Sequence, residues 1–234
     1  MKPKIDKQVV ILFGPPGAGK GTQANLLAEK LSLYYLETSK ILEERFRNSG
    51  ERDFVKVGEK KYFLRDEKKL WETGILCSPP FVSFLIKDKI NEIFKMGESL
   101  VLAGSPRTLY EGKEVTPFLE ELYGKEKIKV ILIKLSAKTS IFRNSHRRIC
   151  ELMRHPVIYN KETIHLTKCP LDGSKLLRRE SLDEPEIIKV RLKEYKERTY
   201  PLIEYFKKRG LKVKEVSGSD SVAEVFKNVL EAIK

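Results

Sequence analysis

The chain has 234 residues, 41% of them hydrophobic, enough for one domain with inserted pieces or for two small ones, and enough to fill a core without covalent staples. With 46 Lys and Arg against 33 Asp and Glu it carries +13, which favours polyanionic partners such as nucleotides, nucleic acid or an anionic membrane face without choosing among them. Cys77, Cys150 and Cys169 are odd in number and widely spaced, so no disulfide framework is implied and a reducing, cytoplasmic setting is expected.

The start, MKPKIDKQVVILF, mimics the basic and apolar parts of a signal peptide, but its apolar run stops at Gly14 and no other run approaches membrane-spanning length; a soluble protein without a membrane partner is expected. VVILF, Val9 to Phe13, reads as a buried strand feeding Gly14-Pro15-Pro16-Gly17-Ala18-Gly19-Lys20-Gly21-Thr22. Glycines clear side chains so that backbone N–H groups can touch a ligand, and this spacing between a strand and a helix fits a phosphate loop. The helix N-terminus adds its positive end, Lys20 a charge near the outer phosphates, and Thr22 a hydroxyl for Mg²⁺. The bland alternative is a tight structural turn, but such turns rarely combine the lysine, the hydroxyl and both flanks.

Ala24, Leu27, Ala28 and Leu31 fall on one helical face. Further strands are expected at Tyr34 to Leu36, Leu100 to Ala103, Val130 to Leu135 and Val213 to Val216, separated by stretches of helical period, the rhythm of an α/β fold with a parallel sheet. Ser221 and Glu224 resemble a capping box opening a last helix, in which Val222, Val225, Phe226, Val229, Leu230 and Ile233 recur at helical spacing. Two stretches break the rhythm: about 40–77 is charged and helical in character, and 150–183 has the prolines and turn signals of a small β insert.

After the phosphate loop come Thr38, Gly74, Gly104-Ser-Pro-Arg-Thr108, Arg143, Arg147-Arg-Ile-Cys150 and Arg191-Leu-Lys-Glu-Tyr195. Over nearly the full chain this series resembles the adenylate kinases and their nucleoside monophosphate kinase relatives. The resemblance implies a five-stranded parallel sheet flanked by helices, built from 1–37, 79–146 and 185–234, with a helical monophosphate-binding insert at 38–78 and a small β lid at 147–184. It implies transfer of the γ-phosphoryl group of ATP, with Mg²⁺, to a monophosphate, AMP with GMP as the other candidate, by a monomer that does not engage nucleic acid. By resemblance Lys20, Arg107, Arg147, Arg179 and Arg191 would be catalytic. Gly14, Pro15, Gly17, Ala18, Gly19, Lys20, Gly21, Thr22, Arg143 and Arg147 would bind ATP, and Thr38, Arg45, Leu76, Arg107 and Glu111 the monophosphate.

The chain also departs from the family. Glu43 stands where an arginine grips the monophosphate, leaving Arg45 or Lys40 as substitutes, and Lys40 and Ala103 stand where acidic residues lie near the metal. Glu111 replaces a glutamine that reads adenine; a carboxylate only accepts, which suits guanine. These changes keep a catalytically weak nucleotide-binding protein as an alternative, and net charge keeps a nucleic-acid-associated NTPase. RDFVKVGEKKYFLRDEKK lengthens the first insert, and its Phe54, Tyr62 and Phe63 are expected to form a small core in preference to a nucleic-acid contact. Finally, Cys150, Cys169 and Asp172 resemble the edges of a zinc-holding lid, with His155 as fourth ligand and His165 in reserve; a metal-free lid is the alternative.

Overall fold

The computed structural model describes residues 7–178 and 182–234, so Arg179, expected to be catalytic, lies outside the described residues. In chain order the elements are β1 (Val9–Phe13), α1 (Lys20–Leu31), β2 (Leu33–Glu37), α2 (Thr38–Arg47), β3 (Phe54–Val57), β4 (Lys60–Phe63), α3 (Leu64–Glu72) and α4 (Pro79–Lys95). There follow β5 (Ser99–Ala103), α5 (Leu109–Tyr123), β6 (Ile128–Lys134), α6 (Ala137–Ser145), β7 (Arg148–Cys150), β8 (Pro156–Val157) and β9 (Leu176–Leu177). The chain ends with α7 (Pro185–Glu194), α8 (Leu202–Lys208), β10 (Val213–Ser217) and α9 (Val222–Ile233).

Five strands form one parallel sheet in the order β10-β6-β1-β5-β2. Successive side chains of β1 point to opposite faces, and both faces are covered. Ile11 and Phe13 join Phe81, Ile90 and Phe206 on one side, while Val10 and Leu12 join Leu27, Ile131 and Val229 on the other. That is why β1 is apolar throughout and does not alternate: each fully buried aliphatic side chain contributes about 1.5–3 kcal/mol. The chain runs first to one side of β1 and then to the other, so strand order reverses there, and in open parallel sheets the crevice beyond the strand ends at such a point receives ligands.

The first insert departs from its all-helical expectation. Between α2 and α3 the chain forms an antiparallel hairpin, β3 with β4, turning at Gly58, whose φ of 59° is left-handed. Strand periodicity puts Val55 and Tyr62 on the inner face, where the Tyr62 ring stacks 6.3 Å from Phe81. Phe54 and Phe63 face outward, 42% and 39% exposed, so only Tyr62 of the three aromatics is core. The second insert is a small three-stranded antiparallel sheet, β8-β7-β9. At the last helix, the Ser221 hydroxyl accepts from Glu224 N and the Glu224 carboxylate accepts from Ser221 N, completing the capping box. Among the described residues no helix is long and apolar enough to cross a membrane.

Candidate nucleotide and metal sites

β1 exits into Gly14, whose φ of 146° and close approach leave no room for a side chain: a Cβ there would lie 2.4 Å from the Ile133 carbonyl oxygen. The loop is held from outside by α6, where Ser140 Oγ donates to Pro16 O at 2.6 Å and Asn144 Nδ2 to Ser140 O at 2.7 Å. Lys20, the first residue of α1, curls back so that Nζ donates to Gly14 O at 2.7 Å and to Pro15 O at 2.8 Å. Burial, then the charges of Arg107, Arg191 and Arg147, push its pKa well below the usual 10.5. Arg107, Arg147 and Arg191, three more of the residues expected to be catalytic, therefore stand near enough for their charges to act on Lys20. Gathered cations of this kind mark a polyanion site.

Asp183 partly neutralises them. Its buried carboxylate accepts from Arg147 Nε at 2.9 Å and also from Arg147 Nη2, and lies 3.8 Å from Arg191 Nη1. Arg191 Nη1 also donates to Leu182 O at 3.0 Å. Arg143, expected over the triphosphate's base, reaches the loop after β10, donating from Nη1 to Gly218 O at 2.7 Å. Thr22 sits half-buried in the first turn of α1.

Lys20, Arg107 and Arg191 line one open cleft together with Thr38, Leu76 and Glu111. Thr38 is part of this lining, and its Oγ1 is buried without a hydrogen-bond partner. Gly104, at a φ of 121°, lets Arg107 fold back beside Thr38; a Cβ there would lie 3.1 Å from Arg107 Nη2 and 3.4 Å from Thr38 Oγ1. A one-turn π-helix, Tyr195–Thr199, follows α7 and brings Tyr195 and Thr199 into the lining. Pro201, which has no N–H to give, comes directly after Tyr200.

Two expectations on the monophosphate side are revised. Arg45 is exposed on α2 and is not part of the cleft lining, because Thr38, Leu42 and Phe46 form the buried face of that helix. Glu111 lines the cleft but is only 2% exposed, and its carboxylate accepts from Ser105 Oγ at 2.9 Å, Arg107 N at 2.9 Å and Thr108 Oγ1 at 3.1 Å. It braces the loop that carries Arg107. Burial pushes its pKa up, opposed by those hydrogen bonds and by the Arg107 charge. Glu111→Gln is expected to destabilise the fold by about 1–3 kcal/mol, because an amide offers one acceptor where two were used. Urea unfolding reads the change, and an unmoved midpoint would remove the brace.

Sequence reasoning missed three participants. Asp183 was legible only as an acid eight residues before Arg191. Glu194, whose Oε2 accepts from Leu76 N at 3.0 Å, gave no local signal. Glu43, noted only as a missing arginine, pairs with Arg154 of the second insert at 3.5 Å. Lys40 is exposed and paired with Glu37 at 3.4 Å.

In the second insert Cys150 N donates to His155 O at 3.0 Å, turning the chain back so that His155 arrives beside Cys150. A matching turn closes with Cys169 N donating to Ser174 O at 2.7 Å, which brings Asp172 round. The ligand atoms of Cys150, His155, Cys169 and Asp172 all lie within 4.8 Å of one another, a donor set suited to tetrahedral Zn²⁺. Met153 N and Leu171 N donate to the Cys150 and Cys169 sulfurs at 3.2 and 3.4 Å. Hydrogen bonds, first that from the Cys150 thiol, hold Asp172 below the usual carboxylate range, while desolvation pushes Cys169 up. Met153 and His165 are both exposed and outside the cluster.

A phosphate loop at the end of β1, opening on a cleft that Lys20, Arg107 and Arg191 line together, defines a P-loop nucleoside monophosphate kinase, a phosphotransferase. The profile of the family described as adenylate kinase matches residues 12–211. An adenylate kinase of Methanothrix thermoacetophila is 33% identical over 226 residues, covering 96% of this chain and 97% of that protein. The adenylate kinase of Caldicellulosiruptor bescii is 35% identical over 230 residues, with 96% and 98% covered, and that of Petrotoga mobilis 32% over 228 residues, with 96% and 97% covered. The chain belongs to the adenylate kinase family.

Proposed function

We propose that the chain transfers the γ-phosphoryl group of ATP to AMP. The observation that carries this reading is that Lys20, Arg107 and Arg191 line one cleft with Thr38, whose hydroxyl has no partner, while Asp183 links Arg191 to Arg147, since phosphoryl transfer asks a protein chiefly for alignment and positive charge. The loop at 14–22 holds the triphosphate tail through backbone N–H groups, and Lys20 releases the Gly14 and Pro15 carbonyls to reach the transferred group. Arg107 spans donor and acceptor, Thr38 donates to the monophosphate, and Arg147 and Arg191 exchange Asp183 for the phosphoryl oxygens. Mg²⁺ bound with the nucleotide supplies further positive charge and fits here with Thr22 as its protein ligand, because it retains waters readily. Residues 38–78 act as the acceptor-side insert and 147–184 as the lid that excludes water.

AMP is favoured over GMP because the carboxylate that would attract guanine, Glu111, is turned into its own loop. A coupled assay with AMP, with GMP and with no acceptor tests this. ADP is expected only with an acceptor, and faster with AMP. Equal or faster turnover of GMP overturns the acceptor; phosphate released without acceptor points to a hydrolase, and no turnover to a binding protein.

The lid insert is too small for a core of its own, so a metal staple at Cys150, His155, Cys169 and Asp172 would fix its two turns, with no position left open for water. Protein purified without chelator is expected to hold about one zinc per chain, and Cys169→Ser protein far less, by elemental analysis. A metal-free wild type would end the zinc reading.

A further inference from the structure

We propose that the outer face of the β3–β4 hairpin binds single-stranded nucleic acid, with bases stacking on Phe54 and Phe63 and flanking phosphates meeting Lys56 and Lys61. The register places Phe54 opposite Phe63 and Lys56 opposite Lys61, and strand alternation puts all four on one face. The two rings stand 6.0 Å apart at 62°, and Lys61 Nζ lies 4.3 Å from the Phe54 centroid, so aromatic surface and positive charge interleave. None of the four lines the nucleotide cleft.

The Phe54–Phe63 edge contact and the Lys61–Phe54 cation–π contact offset only part of the cost of this face. Like charges directly opposite across a strand pair repel, and two adjacent exposed phenylalanines leave apolar surface in water. The fold does not demand either feature, because Val55, Val57 and Tyr62 already anchor the inner face. Lys56 has only the exposed turn residue Glu59, at 3.7 Å, and Lys61 has no ion-pair partner among the described residues. A flexible strand of stacked bases and phosphates satisfies both needs together, since every base offers a π-face and every link a negative charge. An acidic peptide answers the lysines but not the rings. The groove beside the hairpin tip is a poorer candidate: its Lys87 is paired with Glu114 at 3.2 Å and Asp88 adds a further negative charge.

The net charge of +13 gives any polyanion some attraction, so the test must separate local from global charge. Fluorescence anisotropy of a labelled oligothymidylate is measured across a salt series for the wild type, for Lys56→Glu with Lys61→Glu, and for Phe54→Ser with Phe63→Ser. A control pair, Lys30→Glu with Lys227→Glu, makes the same charge change on the opposite side of the sheet. The lysine pair is expected to weaken binding at least ~10-fold and to flatten the slope of log K against log salt by about 1.4. The phenylalanine pair should weaken it by at least ~10-fold with the slope unchanged. The control should stay within about 2-fold, and phosphoryl transfer should persist in every variant. Equal loss in the control, no loss in the hairpin variants, or no binding by the wild type overturns the proposal. So does hairpin-dependent binding to phosphatidylserine vesicles without oligonucleotide binding. Should the phenylalanine pair fail to fold, the exposed lysine pair carries the test.

Discussion

Alanine at position 20 is expected to lower phosphoryl transfer by roughly 10³-fold while leaving the protein folded. Lys20 Nζ is the cation seated inside the loop, and nothing else in that loop can follow the moving group. The stability of the same variant gives an independent reading. In the empty protein the Lys20 pKa is depressed, so between that value and 10.5 the unfolded chain binds the extra proton. The cost of keeping the ammonium charged is therefore fully present below the depressed pKa and disappears as pH rises toward 10.5. Lys20→Ala removes that cost, so its urea midpoint at neutral pH is expected to equal or exceed the wild type's, with the difference shrinking on alkalinisation. A variant that is inactive and clearly less stable would mean that the loop had collapsed, and the loss could not be assigned to the ammonium.

Arg107→Ala is expected to cut turnover by roughly 10²-fold or more and to raise the KM for the monophosphate. The guanidinium packs near Thr38 at Gly104 and lines the same cleft as Gly14 and Lys20 of the phosphate loop. The Glu111 brace holds the backbone N–H of residue 107, which alanine keeps, so the loop stays in place and only the guanidinium is lost. Lysine should not restore activity, because it lacks the planar fork that grips two phosphate oxygens. Steady-state titration of each nucleotide separates the two effects, and a change below about 5-fold would take Arg107 out of the reaction.

The sheet was legible because parallel strands buried on both faces are apolar runs, and β1, β5 and β6 say so in single letters. The phosphate loop was legible because backbone access demands glycine at set places. The β3–β4 hairpin was not: lysines occupy both of its faces and blur the alternation, leaving a charged stretch that resembles a helix surface. Arg45 looked able to replace an arginine two positions earlier, but helix geometry rotates it away from the face that Thr38 and Leu42 turn inward. Glu111 lines the cleft, but spacing could not tell that Ser105, Arg107 and Thr108 claim its carboxylate, since it fixes where a side chain sits and not which donors reach it. Asp183 and Arg147 are 36 residues apart, and no local pattern announces such a pair.

The shared carboxylate of Asp183 also bears on what the empty enzyme does in a solution full of small ions. A row of uncompensated guanidinium groups would trap any chloride that drifted in and then have to shed it before each cycle. With a tethered anion acting as placeholder, a lone monovalent guest gains little by displacing it. On the proposed reading a chain of phosphates, offering several charges at once, competes for Arg147 and Arg191 where a singly charged ion gains little against Asp183.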